Sequence, residues 1–275
     1  MASSSKPADF NHPYAPQGLF GLMVPYGNFA TEWELSVLLP KPAFFITTRL
    51  TDDSGDLTAR LQSYFDPDRL SHALSSFGTT PLRALGIACS ATSYFIGKQQ
   101  EDALFQRLSA QHGTPFISTT AAMKSGLDAL GTKRIELISP YPAAITEKCV
   151  QYWSGLGYAI DAVCQLSNPN PGFHPIYTLT PDQIEHDFLE AIQRARAPVL
   201  ITGTGLSSLP AVRKAFETLG TGAPPILSAT LCLARALLLA STDGPNPAEQ
   251  WFTSQAPWMN SGAFTALPPE KTVSD

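Results

Sequence analysis

Leu85-Gly-Ile-Ala-Cys89-Ser-Ala-Thr-Ser93 is an apolar run that ends abruptly in small and hydroxylated residues. A short run rich in Leu and Ile, without polar alternation, reads as a strand covered on both faces, as in a parallel sheet. A second stretch repeats the pattern. It is Leu200-Ile-Thr-Gly203-Thr-Gly-Leu-Ser207, with Gly203 standing 114 residues after Cys89. That distance is close to half of the globular part of the chain. The pair implies a duplicated unit whose two strand-end turns face each other across a cleft.

Outward from these stretches, the same alternation runs through the chain. Strands are predicted at Leu19–Val24, Ala43–Thr48, Ala84–Ala88, Pro115–Ser118, Arg134–Ile138, Tyr158–Leu166, Pro198–Thr202 and Pro225–Ser228. Helical patterns lie between them, among them Gln99–Gln111, Ala143–Gly157, Pro181–Arg196 and Leu209–Leu219. Thr180-Pro181-Asp182-Gln183 reads as a capping box with Pro in the first turn. Gly157 and Gly220 stand where their helices should stop. Strand–helix alternation of this kind predicts an α/β fold with parallel, doubly wound sheets, whose ligands bind at the carboxyl ends of the strands.

The composition narrows the function classes. Of 275 residues 44% are apolar and 15% charged, which suits a soluble globular protein. A net charge of -5 with no Lys/Arg run offers no footprint for nucleic acid or an anionic membrane. No apolar stretch approaches the roughly 20 residues that span a bilayer. The first residues lack an apolar signal core, so a cytoplasmic location is expected. Cys89, Cys149, Cys164 and Cys232 form no CxxC pair and have no His at ligand spacing, so they are expected as free thiols and no metal is expected.

The strand-end loops carry the candidate chemistry. Cys89 could be a buried structural cysteine, or a reactive thiol whose thiolate is favoured by the N-terminus of a following helix. Asn28, in Val24-Pro-Tyr-Gly-Asn28-Phe-Ala-Thr-Glu32, could cap a helix or bind a carboxylate. Tyr141, between Pro140 and Pro142, could donate to an anion or simply pack in a turn. Gly203-Thr204-Gly205 offers backbone donors suited to an oxyanion. It lacks both the Lys of a P-loop and the spacing of a dinucleotide fingerprint.

Taken in order, these loops resemble the maleate isomerase and arylmalonate decarboxylase branch of the aspartate/glutamate racemase superfamily, from about Gly18 to Ala240. GLMVPYGNFATEWE is similar to the family's opening strand and loop, IACSATSYFIG to its first-cysteine segment, and SPYPAAITEKCVQYWSGLGY to its Pro-Tyr segment. ITGTGLSSLPAV is similar to the segment that normally bears a second cysteine.

The resemblance implies two pseudo-symmetric lobes with the active site in the cleft between them, and no cofactor. It implies Cys89 as the catalytic residue, and Asn28, Ser90, Tyr141, Gly203 and Thr204 as the substrate-binding residues. Gly203 stands where the second cysteine belongs, which argues against two-base racemisation. The decarboxylases keep their one cysteine in the second lobe, the reverse of the order here.

Two reactions are then expected on a small carboxylic or dicarboxylic acid. The first is cis-trans isomerisation through a Cys89 thiolate adduct, which the Asn28 and Cys89 segments favour. The second is malonate-type decarboxylation with Cys89 as proton donor. A non-catalytic carboxylate-binding homologue is the third alternative, and a homodimer the assembly left open.

The expected division is a flexible tail at 1–17, a first lobe at 18–114 plus 225–240, a second lobe at 115–224 and an irregular extension at 241–275. Phe29, Trp33 and Phe95 are expected to make the pocket roomier and more apolar than maleate requires. Asn168 and Asn170 are further candidates for a carboxylate contact.

Overall fold

The structure, a computed structural model, describes residues 12–15, 18–39, 43–51, 55–169, 171–240 and 249–260. Most of the expected N-terminal tail, much of the C-terminal extension and Asn170 lie outside the described residues.

Eight strands form where the apolar runs predicted them: β1 Leu19–Pro25, β2 Phe44–Leu50, β3 Leu82–Ile87, β4 Phe116–Ser118, β5 Arg134–Ser139, β6 Ala159–Gln165, β7 Val199–Ile201 and β8 Ile226–Ser228. The principal helices are α1 Ala30–Leu38, α2 Leu57–Ser63, α3 Pro67–Ser75, α4 Ala91–Ile96, α5 Lys98–His112, α6 Thr119–Ala129, α7 Ala143–Gly155, α8 Pro181–Arg194, α9 Leu209–Leu219 and α10 Ala229–Leu239. The box at Thr180 forms, with the Thr180 amide donating to Gln183 Oε1 over 2.9 Å. Gly157 and Gly220 take positive φ at the helix ends.

The strands make two parallel four-stranded sheets of the same order, β2-β1-β3-β4 and β6-β5-β7-β8. In each sheet the connections leave the first strand in opposite directions. The gaps β1/β3 and β5/β7 are therefore topological switch points, where the loops at the carboxyl ends part and open a crevice.

The inner strands are buried over most of their length, but the edge strands β2 and β6 depart from the expectation of cover on both faces. Phe44 and Ile46 of β2 and Val163 of β6 are exposed, whereas the edge strands β4 and β8 stay largely buried.

The division between lobes also differs from the expected one. Residues 116–118 pair with β3 in the first sheet, and residues 226–228 pair with β7 in the second. The helices that follow then cross over. α10 packs on α6 and α1 and lies against β3, where Gly86 faces Leu233. α6 reaches β8, where Gly126 faces Leu227. Ser118 and Ser228 cap the two crossing helices alike, each accepting an amide from the first turn. This exchange fuses the lobes around one continuous core. Past residue 248, buried Trp258 packs near Phe216 and donates its indole N–H to Trp251 O over 3.1 Å. Among the described residues, no helix is long and apolar enough to cross a membrane.

Candidate active site

The four loops at the switch points converge. β1 turns at Pro25 and delivers Asn28 to the start of α1, with the Asn28 amide donating to Pro25 O over 3.0 Å. Asn28 does two things at once. Its Oδ1 accepts the Thr31 amide at 3.1 Å, as a helix cap does. Its Nδ2 crosses the cleft to Thr204 Oγ1 at 3.1 Å. Thr204 Oγ1 in turn donates to Ala88 O over 2.6 Å, so the loop after β7 is tied to the residue before Cys89.

Cys89 follows β3, is 4% exposed, and lies 3.2 Å by its Sγ from Thr92 Oγ1. Burial pushes its thiol above the usual cysteine range, opposed first by the Thr92 side chain and then by the amides of Thr92 and Ala91 at the start of α4. The expected stabilisation of a thiolate by a helix N-terminus is therefore present but outweighed, because desolvation of the anion is the larger effect.

The direction of the Thr92 bond is fixed by its other partner. The Thr92 hydroxyl donates to Leu61 O over 2.6 Å, satisfying a carbonyl in the last turn of α2. A hydroxyl has one proton, so toward Cys89 it offers a lone pair. The thiol is the donor. Thr92 would favour a thiolate only by turning its proton away from Leu61.

The second lobe supplies the facing donors. Tyr141 follows β5 and sets its hydroxyl 3.0 Å from Ser90 Oγ. Burial, and after it the neighbouring Cys89, push the Tyr141 phenol far above its ordinary range, so it stays protonated and able to donate. The Gly203 amide donates to Ser90 Oγ over 3.4 Å. Gly203 has φ +86°, and a Cβ there would lie 2.9 Å from Pro140 Cγ and 3.4 Å from the Tyr141 hydroxyl. The loop is thus built around a glycine. Two hydrogen-bonded groups, Asn28–Thr204 and Tyr141–Ser90–Gly203, meet at the Gly203–Thr204 peptide beside Cys89.

The roof of this site was not foreseen. Tyr177, 7% exposed, lies over both Gly27 and Gly205. A Cβ on Gly27 would come 3.0 Å from its ring, and one on Gly205 2.2 Å. His174 stacks on Tyr177 with centroids 3.6 Å apart, and burial holds its imidazole neutral, down at about 4. Tyr26 meets the Tyr177 ring edge-on, and the Arg60 guanidinium lies over Tyr26 and donates to its hydroxyl at 2.7 Å.

Asn168 holds this segment, donating to Pro175 O and Thr178 Oγ1, which accounts for its amide without a substrate. Phe29 is 57% exposed and Trp33 and Phe95 pack half-buried against the core, whereas Tyr177 is buried over a glycine from each lobe. The only advance signal was the cluster of aromatic residues in an unusually long strand–helix connection. Among the described residues no three His, Cys, Asp or Glu side chains gather as metal ligands, and the four cysteines are unpaired.

Comparison with known proteins agrees with this architecture. The chain is 26% identical over 223 residues to the maleate isomerase of Geobacillus stearothermophilus, covering 76% of this chain and 86% of the relative. The maleate isomerase of Pseudomonas putida S16, solved with maleate, superposes with a TM-score of 0.67 at 22% identity, over 81% of this chain and 91% of that one. Unliganded arylmalonate decarboxylase superposes with a TM-score of 0.64 at 17% identity, over 83% and 94%. The family described as arylmalonate decarboxylase matches residues 66–251, well over half of the chain. The protein therefore belongs to the arylmalonate decarboxylase family, in the branch that it shares with the maleate isomerases.

Proposed function

We propose that this protein is a cofactor-independent decarboxylase of a small malonate-type acid, with Cys89 as the proton donor. The observation that carries this reading is the bond pattern at Thr92. Its proton is engaged by Leu61 O, so Cys89 holds its own proton as a thiol with a partner for it.

The chemistry needs one proton. The bond between the α-carbon and one carboxyl group breaks, CO2 leaves, and the electron pair stays on the α-carbon as an enediolate. Cys89 gives its proton to that carbon and regains one from solvent. The developing negative charge needs donors in a dry site, where one preorganised donor contributes roughly 10²–10³ in rate. The hydroxyls of Ser90 and Tyr141 and the amides of the Gly203–Thr204 turn have that character, and Asn28 Nδ2, which donates to Thr31 and Thr204, would join them by turning from one of those partners. Burial of the thiol and phenol favours this use, since both stay protonated until charge appears beside them.

Isomerisation through a Cys89 thiolate adduct is the second reading. It is favoured by the Ala91 and Thr92 amides that act on Sγ and by the maleate isomerase relative. It would gain further from Thr92 turning its hydroxyl proton from Leu61 O to Sγ. Counting carbons separates the two. Incubation with 13C-labelled malonate-type and maleate-type acids should release labelled CO2 from the malonate type. An isomer with every carbon retained would favour the second reading. Tight binding with no conversion would make the protein a carboxylate-binding homologue.

A further inference from the structure

Three residues spaced by three along the start of α1 bond to a single segment of the opposite lobe. Asn28 Nδ2 donates to Thr204 Oγ1, and Thr31 Oγ1 donates to Thr204 O at 2.9 Å. Glu34, one turn further, is completely buried and meets the end of the same segment. Its Oε1 accepts the Leu209 amide at 2.7 Å and the Ser208 hydroxyl at 3.2 Å. Leu209 opens α9, and Ser208 and Leu209 are themselves buried. A carboxylate fully removed from water is costly unless its bonds are specific, so this position has a strong physical demand on it.

We propose that Glu34 is a positioning residue for the reaction inferred above, on which this inference rests: by holding the start of α9 against α1 it fixes the Gly203–Ser208 loop whose backbone faces Ser90. The loop is short and internally braced, with Leu206 N donating to Gly203 O and Ser208 N to Leu206 O. It is anchored at one end by Gly203 and Thr204 and at the other by Glu34, so releasing Glu34 frees the end that opens α9.

The groups that act on the carboxyl are Leu209 and Ser208 of the α9 start and Thr230 of α10, all neutral. Burial raises Glu34 to about 7, against the lowering effect of those bonds. The anion accepts four bonds from these three residues, yet its loss of hydration outweighs them. Local opening, which returns the anion to water, therefore becomes easier as pH rises through 7.

The test is amide hydrogen exchange, read on peptides covering residues 203–212, together with turnover. Wild type, Glu34→Ala and Glu34→Gln are compared at matched pH on either side of 7. Exchange at the start of α9 should be about tenfold faster in Glu34→Ala, the scale of one hydrogen bond to a charged group. Turnover should fall by a similar factor. Glu34→Gln should restore both, and the ratio of wild type to Glu34→Gln should change across pH 7.

Unchanged exchange in Glu34→Ala would overturn the proposal, as would faster exchange with unchanged kcat. Should Glu34→Ala not fold, a ratio of wild type to Glu34→Gln that stays flat across pH 7 would overturn it. Should wild type convert no acid at all, the proposed function falls, and exchange alone decides the clamp.

Discussion

Ser90 and Tyr141, one from each lobe, bring their hydroxyls to 3.0 Å beside the Cys89 thiol. This contact joins the two switch-point crevices into one site, since Ser90 follows β3 and Tyr141 follows β5. It also sets a testable division of labour, in which the hydroxyl pair holds charge and the thiol moves a proton.

Tyr141→Phe removes the hydroxyl while keeping the ring that packs edge-on against Tyr94. Activity should drop by about 100-fold in kcat/KM, as for loss of one oxyanion donor. Stability should fall by about 1 kcal/mol, the net worth of an ordinary hydrogen bond. Steady-state kinetics and urea unfolding check the two figures. Full activity in the folded variant would remove Tyr141 from the donor set.

Gly203→Cys places a thiol where the relatives' second cysteine is expected. It should not create a racemase. A non-glycine residue at φ +86°, with its Cβ against Pro140 and the Tyr141 hydroxyl, should cost about 1–3 kcal/mol in urea unfolding. An unchanged unfolding midpoint would show that the loop accepts a side chain.

The two parallel sheets and their eight strands were legible because the buried parallel strands are uninterrupted apolar runs. The crossing of α6 and α10 was not. Nine of the eleven residues of α10 are buried, so its sequence has no polar face to give its orientation. The signal lay in a weak repeat, Phe116-Ile-Ser-Thr-Thr against Ile226-Leu-Ser-Ala-Thr, whose serines are the two helix caps. Tyr177 escaped for another reason. Loop residues have no periodicity, and its partners Gly27 and Gly205 are remote in sequence. Glu34 looks like any helical glutamate until its burial is seen.

The reactivity of Cys89 should follow its burial. Iodoacetamide labelling of Cys89, followed by peptide mapping, should rise with an inflection above about 8.5, the value of an ordinary cysteine. An inflection below 7 would mean a stabilised thiolate and would favour the adduct mechanism.

Glu34 should leave a mark on stability. Its carboxyl sits at about 7 in the fold against 4.5 ordinarily, so between these values the folded protein keeps a proton that the unfolded chain has released. Stability should then fall as pH rises through that window, by about 3 kcal/mol for this group. Urea unfolding of wild type should show that slope relative to Glu34→Gln. Parallel pH profiles for the two proteins would contradict it.

The most direct measurement is proton NMR in D2O on a malonate-type acid incubated with wild type and with Cys89→Ala. Wild type should yield the monoacid carrying one deuterium at the α-carbon, while Cys89→Ala should leave the substrate unchanged. Conversion by Cys89→Ala at the wild-type rate would contradict the assignment of the proton to Cys89.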